Sequence, residues 1–391
     1  MSKAKANALE RLHRLIAVGQ DSQNVVIQRM LNVTIRDKLV DPRAMQFTQA
    51  ENYKDQMLLR YLQLEQSIQS TKTFEEVRID NHAMGQISGI AKVPKHYINA
   101  LMTECVNMPT PTRLELLSHI LNTHFNRGMF FDRANNRTKF LHRIVDGELL
   151  GVLSRNYNRK LGTAAMLRPF LEQCAQHGAK PVSAHVNRLQ AQLQCVLPEV
   201  HEPVKDEFVA FGVTYSNSDF GASSLTVQGI IFRVSSGSSV ILDEKFRKIH
   251  LGAVISESEI SLSEETLKRE SMTHISAVRD MVDAIFKQES ITRALELVRF
   301  SITEKVSWSE LLRKVKDVLS KGEVVSLENL LKESGQGIVD LPPVTMDGSG
   351  DPQANAWWAA AALGTIAAKT DDVGRKESIQ ELAGKMLKNE R

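Results

Sequence analysis

Cysteine is scarce, with three in 391 residues, and Cys105, Cys174 and Cys195 lie too far apart for a disulfide framework or a CxxC metal knuckle. Reduced, buried thiols are the expectation. No apolar run approaches the roughly 20 residues of a membrane-spanning helix. The opening MSKAKANALERLHRLIAVG interleaves basic and apolar residues at helical spacing, without a continuous hydrophobic region or a small-residue cleavage site. A cytoplasmic protein without a membrane anchor is therefore expected. Also lacking are a GxxxxGK[ST] phosphate loop, a GxSxG elbow and an HExxH zinc motif. His119 and His124 are five apart and share no helical face cleanly, while His82, His96 and His142 are isolated, so no metal or other cofactor is expected. Acidic pairs such as Glu75-Glu76 and Asp371-Asp372 fall at expected element ends, where solvent and helix-terminus roles predominate. No catalytic residue is assigned.

A large net charge is missing as well. The formal value of +3 argues against a histone-like polycation, but the charge is unevenly spread. From Arg113 to Arg188 there are twelve Lys/Arg against five Asp/Glu, a local excess of seven positive charges. Such a segment suits a polyanion or an acidic protein surface.

What is present has the 42% hydrophobic and 24% charged make-up of an ordinary globular protein long enough for two or three domains. Leu9, Leu12, Leu15 and Ile16 share one helical face, and Met57, Leu58, Tyr61, Leu62 and Leu64 read as a second apolar helical stripe. Residues 1–72 are thus expected to form an N-terminal helical arm. A helix stops near Gly89 and another begins after Pro94. Asp146-Gly147 between two apolar runs is a strong hairpin signal. Over LQAQLQCVL, Leu189, Ala191, Leu193, Cys195 and Leu197 alternate with Gln190, Gln192 and Gln194: one face is core, and the other is an amide-rich surface open to solvent, a subunit or a ligand. Strands near 207–215 and 223–234 extend this sheet, and residues 163–178 form an amphipathic helix ending at Gly178. A capping-box-like Ser263-Glu264-Glu265-Thr266 opens a further helical stretch.

The expected fold is α+β, with a central antiparallel sheet over about 138–242, helices before and after it, and the N-terminal arm. Boundaries follow at 73–255 for the α+β core, 256–334 for a helical region, 335–353 for a Gly/Pro/Asp-rich linker and 354–391 for C-terminal helices, where Trp357 and Trp358 ahead of four alanines read as a packing anchor.

The stretch FVAFGVTYSNSDFGASSLTVQGIIFRVSSGSSVILDEKFRKIHLG, with LGVLSRNYNRKL at 150–161, resembles the phage- and plasmid-borne family known as domain of unknown function nine-three-two, over residues 74–388. The resemblance implies a mobile-element origin and no assigned activity. Members commonly carry an Asn-Ser-His-Asp-Gly-type turn and a Cys-x-Asn element. This chain has Ser216-Asn217-Ser218-Asp219-Phe220-Gly221 and Ser235-Ser236-Gly237 instead, which removes the His and Cys that would support a metal or nucleophile.

Two basic clusters are the candidate contacts to nucleic acid. Arg143, Arg155, Arg159 and Lys160 fall near the hairpin end away from its turn, where phosphates would be gripped, with Tyr157 placed to stack on a base. Arg247, Lys248 and His250 form the second cluster, ahead of Gly252. The other reading of these residues is that the arginines pair with acids on neighbouring elements and Tyr157 fills the core. The expected function is a non-catalytic, oligomeric binder of single-stranded DNA or another nucleic acid in recombination, annealing or genome protection. The alternative is a protein-binding structural factor or an inhibitor of a host defence system, with a host protein as partner.

Overall fold

The structure, a computed structural model, describes residues 2–49, 56–62, 75–104, 108–126, 139–154, 157, 161–248, 263–335, 345–346 and 352–387. It opens with α1 (Lys3–Asn32), capped by the Ser2 side chain, which accepts from the Lys5 backbone N–H. Leu12 and Ile16 are buried and Leu9 and Leu15 partly so, as the helical spacing required. The rest of the expected arm, where described, contains no further α-helix. Residues beyond α1 form β1 (Arg36–Val40), a 3₁₀ turn at Pro42–Ala44, β2 (Met45–Gln49) and β3 (Met57–Tyr61), followed by β4 (Glu75–Ile79). Met57, Leu59 and Tyr61 are buried on alternate positions, a period of two. The apolar run Met57, Leu58, Leu59, Tyr61, Leu62 fits both periods locally, and pairing with β2 and β4 selects the strand.

After α2 (Asn81–Ala91), α3 (Lys95–Asn99), a π-helical turn at Ala100–Glu104 and α4 (Thr110–Asn126) comes the hairpin of β5 (Phe140–Val145) and β6 (Glu148–Ser154). At its turn Asp146 has φ 50° and Gly147 φ 74°, the paired positive values of the type I′ turn that Asp-Gly favours. The first sheet runs β1-β5-β6-β4-β3-β2, antiparallel except for β4 beside β6. α2 and α4 cover one face of it over a core of Phe47, Leu59, Ile87, Leu117, Leu121 and Phe125.

The second sheet follows α5 (Thr163–Gln176). Its strands are β7 (Lys180–Val186), β8 (Ala191–Val196), β9 (His201–Val204), β10 (Glu207–Asn217), β11 (Leu225–Arg233) and β12 (Ser238–Lys248), ordered β12-β11-β10-β8-β7 with β9 beside β10. One face presents Leu193, Cys195, Val213, Tyr215 and Val227 to α5 and to α6 (Glu264–Ile285), whose N-cap is Ser263 as the capping box predicted. α7 (Gln288–Thr303), β13 (Lys305–Ser307), α8 (Trp308–Val315), α9 (Lys321–Gly335), β14 (Thr345–Met346), β15 (Pro352–Asn355), α10 (Ala356–Ala368) and α11 (Val373–Leu387) complete the chain. β13, β14 and β15 pair into a small sheet, so part of the expected linker is ordered strand. Asn355 caps α10 by accepting from the Trp358 backbone N–H, and both tryptophans are buried in the C-terminal core.

The fold is α+β, as expected, but it is built on two large sheets rather than one. The first recruits residues 36–61, which the sequence pattern assigned to a separate arm. The amide-rich side of β8 is also not an open surface. α1 covers one end of that sheet face through Leu12 and Ile16 against Ala210, Ile230 and Phe232, and α11 covers the other. α11 lies so close to β12 that a Cβ on Gly384 would overlap the Ile241 carbonyl oxygen, which explains glycine there.

Candidate functional site

The two sheets are joined by the connection between β10 and β11, the Asn217-Ser218-Asp219-Phe220-Gly221 turn. Its polar residues hold it in place. The Ser218 hydroxyl donates to the Leu189 carbonyl at 2.6 Å and accepts from the backbone N–H groups of Phe220 and Ala222. The Asp219 carboxylate accepts at 2.9 Å from the N–H of Thr163, the first residue of α5. That helix begins after Gly162, which has no side chain to cap it, so the carboxylate of a distant loop takes the role. The Phe220 carbonyl accepts from Gln86 Nε2 at 2.9 Å and from His82 Nε2 at 3.1 Å. Burial lowers the His82 pKa, which keeps the ring neutral with its proton on the nitrogen that donates.

This docking decides the fate of two expected site residues. Arg143 donates through Nη1 to the Asp219 carbonyl at 2.5 Å and through Nε to Asp37 at 3.0 Å, with its guanidinium 5.2 Å from the Tyr157 ring centroid. Tyr157 packs against Leu141 and Leu153 and is 3% exposed; Arg143 is 5% exposed. Neither faces a ligand, which corrects the expectation that Arg143 grips phosphate and Tyr157 stacks on a base. The turn from the other sheet packs over the hairpin, with Phe220 against Gly151. Burial also raises the Tyr157 hydroxyl well above its ordinary pKa. Arg247 and Lys248 end β12, with Arg247 in register with Thr226 and Lys248 with Leu225. Arg155, Arg159, Lys160 and His250 lie outside the described residues.

Where the docked turn meets the end of α1 there is a cleft of about 590 Å³. Its walls are the α1 terminus with Arg29 and Asn32, the hairpin turn at Asp146, the β7–β8 turn with Asn187, Arg188 and Gln190, and the pair Asp219 and Phe220. A volume of this size falls within the roughly 300–1,000 Å³ of small-ligand sites. Apolar side chains, among them Val33, Ile35, Val145 and Leu189, line it together with the polar groups. The Asn187 carboxamide oxygen accepts from the N–H groups of Leu189 and Gln190, which fixes the turn that presents Arg188. Arg188 is ion-paired to Glu148 at 2.6 Å with its side chain still more than half exposed, and Arg29 is exposed at the last turn of α1. Two arginines and two aspartates leave the lining charge-balanced. The lining thus combines guanidinium donors with carboxylate and carboxamide acceptors, of which Arg188 is already paired with Glu148 and Asp219 with the Thr163 N–H.

Among the described residues no three His, Cys, Asp or Glu side chains are grouped to hold a metal ion. No described helix is long and apolar enough to cross a membrane. Cys174 and Cys195 are buried, and burial with the neighbouring thiol pushes the Cys174 thiol up. Arg188 counted within the basic segment of the sequence, but nothing there distinguished it. Arg29 and Asp219 carry no sequence signal for a cleft, because its four walls come from segments far apart in the chain.

No family model, curated protein or solved structure matches this chain. The resemblance to domain of unknown function nine-three-two therefore rests on the quoted strand and turn residues alone.

Proposed function

We propose that the protein is a non-catalytic nucleic-acid-binding protein that takes a base of single-stranded DNA or RNA into the cleft between its two sheets. One observation carries the reading: donors and acceptors suited to a base edge line a ligand-sized cleft with arginines on two of its walls. The surrounding basic segment, twelve Lys/Arg against five Asp/Glu from Arg113 to Arg188, supplies the phosphate attraction that the balanced cleft lacks. Assembly into a homo-oligomer would turn one short site into a long one, and single-strand binding of this kind would serve recombination, annealing or genome protection in a phage or plasmid.

The test is fluorescence anisotropy with labelled single-stranded and duplex oligonucleotides on nuclease-treated protein, with light scattering on the same sample. Arg29→Glu and Arg188→Glu are each expected to weaken single-strand binding about tenfold, the cost of reversing one charged contact. Absence of wild-type binding at low salt refutes the reading. A second reading, a protein-binding factor, is favoured by an apolar groove of about 320 Å³ between α1 and α5, lined by Ile27, Met30, Leu167 and Leu171. Unlabelled, unrelated DNA separates the two, since it displaces a nucleic-acid ligand and leaves an apolar protein contact in place.

A further inference from the structure

The face of the second sheet under α11 is polar on β7, β8, β10 and β11. Strand register places His185, Gln192, Ser216, Thr226 and Arg247 in one row across β7, β8, β10, β11 and β12. Ser183, Gln194, Thr214, Gln228 and Lys245 form the next. Gln192, Gln194, Thr214, Ser216, Thr226 and Gln228 are each 5% exposed or less. A sheet face covered by a helix ordinarily buries apolar groups, as the opposite face of these strands does, and buried polar groups cost stability unless fully paired. Pairing here is incomplete: Gln192 Oε1, Thr214 Oγ1 and Gln228 Oε1 are buried without a partner.

Five of the bonds that do form run from sheet to helix, while Gln380 Nε2 of α11 donates back to the Ser239 hydroxyl at 2.6 Å. Ser216 and Thr226 donate their hydroxyls to the two carboxylate oxygens of Glu377, at 2.9 and 3.1 Å. Gln228 donates to Glu381 at 3.2 Å, and Gln192 and Gln194 donate to Gln380 Oε1 at 3.1 and 3.4 Å. In these five bonds the sheet supplies the donors, and Glu377, Gln380 and Glu381 of α11 supply the acceptor oxygens. Glu377 and Glu381 are one helical turn apart, a spacing of roughly 5–6 Å between Cβ atoms and comparable with the step between successive phosphates. α11 keeps its apolar side, Ile379, Leu382, Ala383 and Met386, in the core that contains α10, and its other contacts with the sheet are the polar ones above and the close approach of Gly384 to β12. Lys376, whose pKa burial lowers to about 8, contacts His185 at the far strand.

We propose that this donor-bearing sheet face is a binding surface for single-stranded nucleic acid, occupied in this conformation by α11, whose Glu377 and Glu381 stand where phosphates would lie. The proposal rests on the nucleic-acid reading above and adds a second contact region, distinct from the cleft and closed until α11 moves.

The test uses the full chain with Glu377→Gln and Glu381→Gln together, which keeps the shape of α11 and weakens its charge-assisted bonds. Anisotropy with a labelled single-stranded oligonucleotide is expected to show about tenfold tighter binding than wild type, because apparent affinity follows the fraction of open molecules. Hydrogen exchange on the wild-type chain gives a readout that does not depend on the variant folding. Saturating oligonucleotide is expected to lower protection over residues 373–381 and raise it over β10 and β11. Equal affinity of variant and wild type, or binding that leaves α11 protected, overturns this proposal and leaves the cleft standing. Absence of binding by either protein overturns both. Displacement of the oligonucleotide by a poly-glutamate peptide at equal charge overturns the choice of nucleic acid.

Discussion

His142 sits wholly buried in β5, with Nδ1 2.9 Å from the Tyr61 hydroxyl and Nε2 without a partner. The Lys38 ammonium lies 4.0 Å from the Tyr61 ring centroid. Burial, reinforced by that nearby charge, lowers the imidazole pKa from its ordinary 6.5 to about 3. The unfolded chain takes up a proton near pH 6.5, whereas the native ring refuses it until about pH 3. Below pH 6.5 the unfolded state therefore binds more protons, and stability falls as the pH drops through this window. Between pH 7 and pH 5 the loss amounts to about 2 kcal/mol, at 1.36 kcal/mol per unit. In His142→Gln the amide keeps a partner for Tyr61 and does not titrate. Urea unfolding of both proteins at pH 7 and pH 5 should show wild type losing about 2 kcal/mol more than the variant, whatever the variant's stability at pH 7. All other titrating groups are common to both and cancel. The same pH dependence in both proteins would show that the imidazole is not held neutral, and the reasoning from burial would fail.

Two glycines in helices should respond oppositely to alanine. Gly384→Ala drives a Cβ into the Ile241 carbonyl and should cost about 1–3 kcal/mol, whereas Gly89→Ala, with nothing within 4 Å of the new Cβ, should gain about 0.5–1 kcal/mol. Thermal melting reads both, and a tolerated Gly384→Ala would contradict the close seating of α11 on β12. Asp219→Ala removes the acceptor for the α5 N-terminus and an acid 3.7 Å from Arg143. It should destabilise by about 1–3 kcal/mol in the same assay, and an unchanged melting temperature would show that the carboxylate does not hold the turn.

Local chemistry made several elements legible before any contact was known. Asp146-Gly147 announced its hairpin because few dipeptides adopt two consecutive positive φ values, and Ser263 announced α6 because a hydroxyl there pairs an otherwise unsatisfied N–H. Trp357 and Trp358 were legible as core because nothing else suits large aromatics beside a row of alanines. Residues 57–62 were misread because a short apolar run satisfies two periods, and only pairing with β2 and β4 chooses between them. The buried state of Arg143 and Tyr157 was equally out of reach. Their partner carbonyl belongs to Asp219, 76 and 62 positions away, and charge patterning does not record which face another loop covers.

The sequence by itself determined the α+β class, the hairpin, the helix caps and the alternation that gives β8 one apolar and one amide side, since each depends on neighbours within a few residues. Only the tertiary structure decided that residues 36–61 join a sheet with residues 75–154, that the Asn217–Gly221 turn bridges two sheets, and that α11 lies on the amide side of β8. Those outcomes turn on which polar groups find partners across long separations once the chain is compact. Hydrogen bonding and burial at that range are properties of the assembled fold, not of any segment of it.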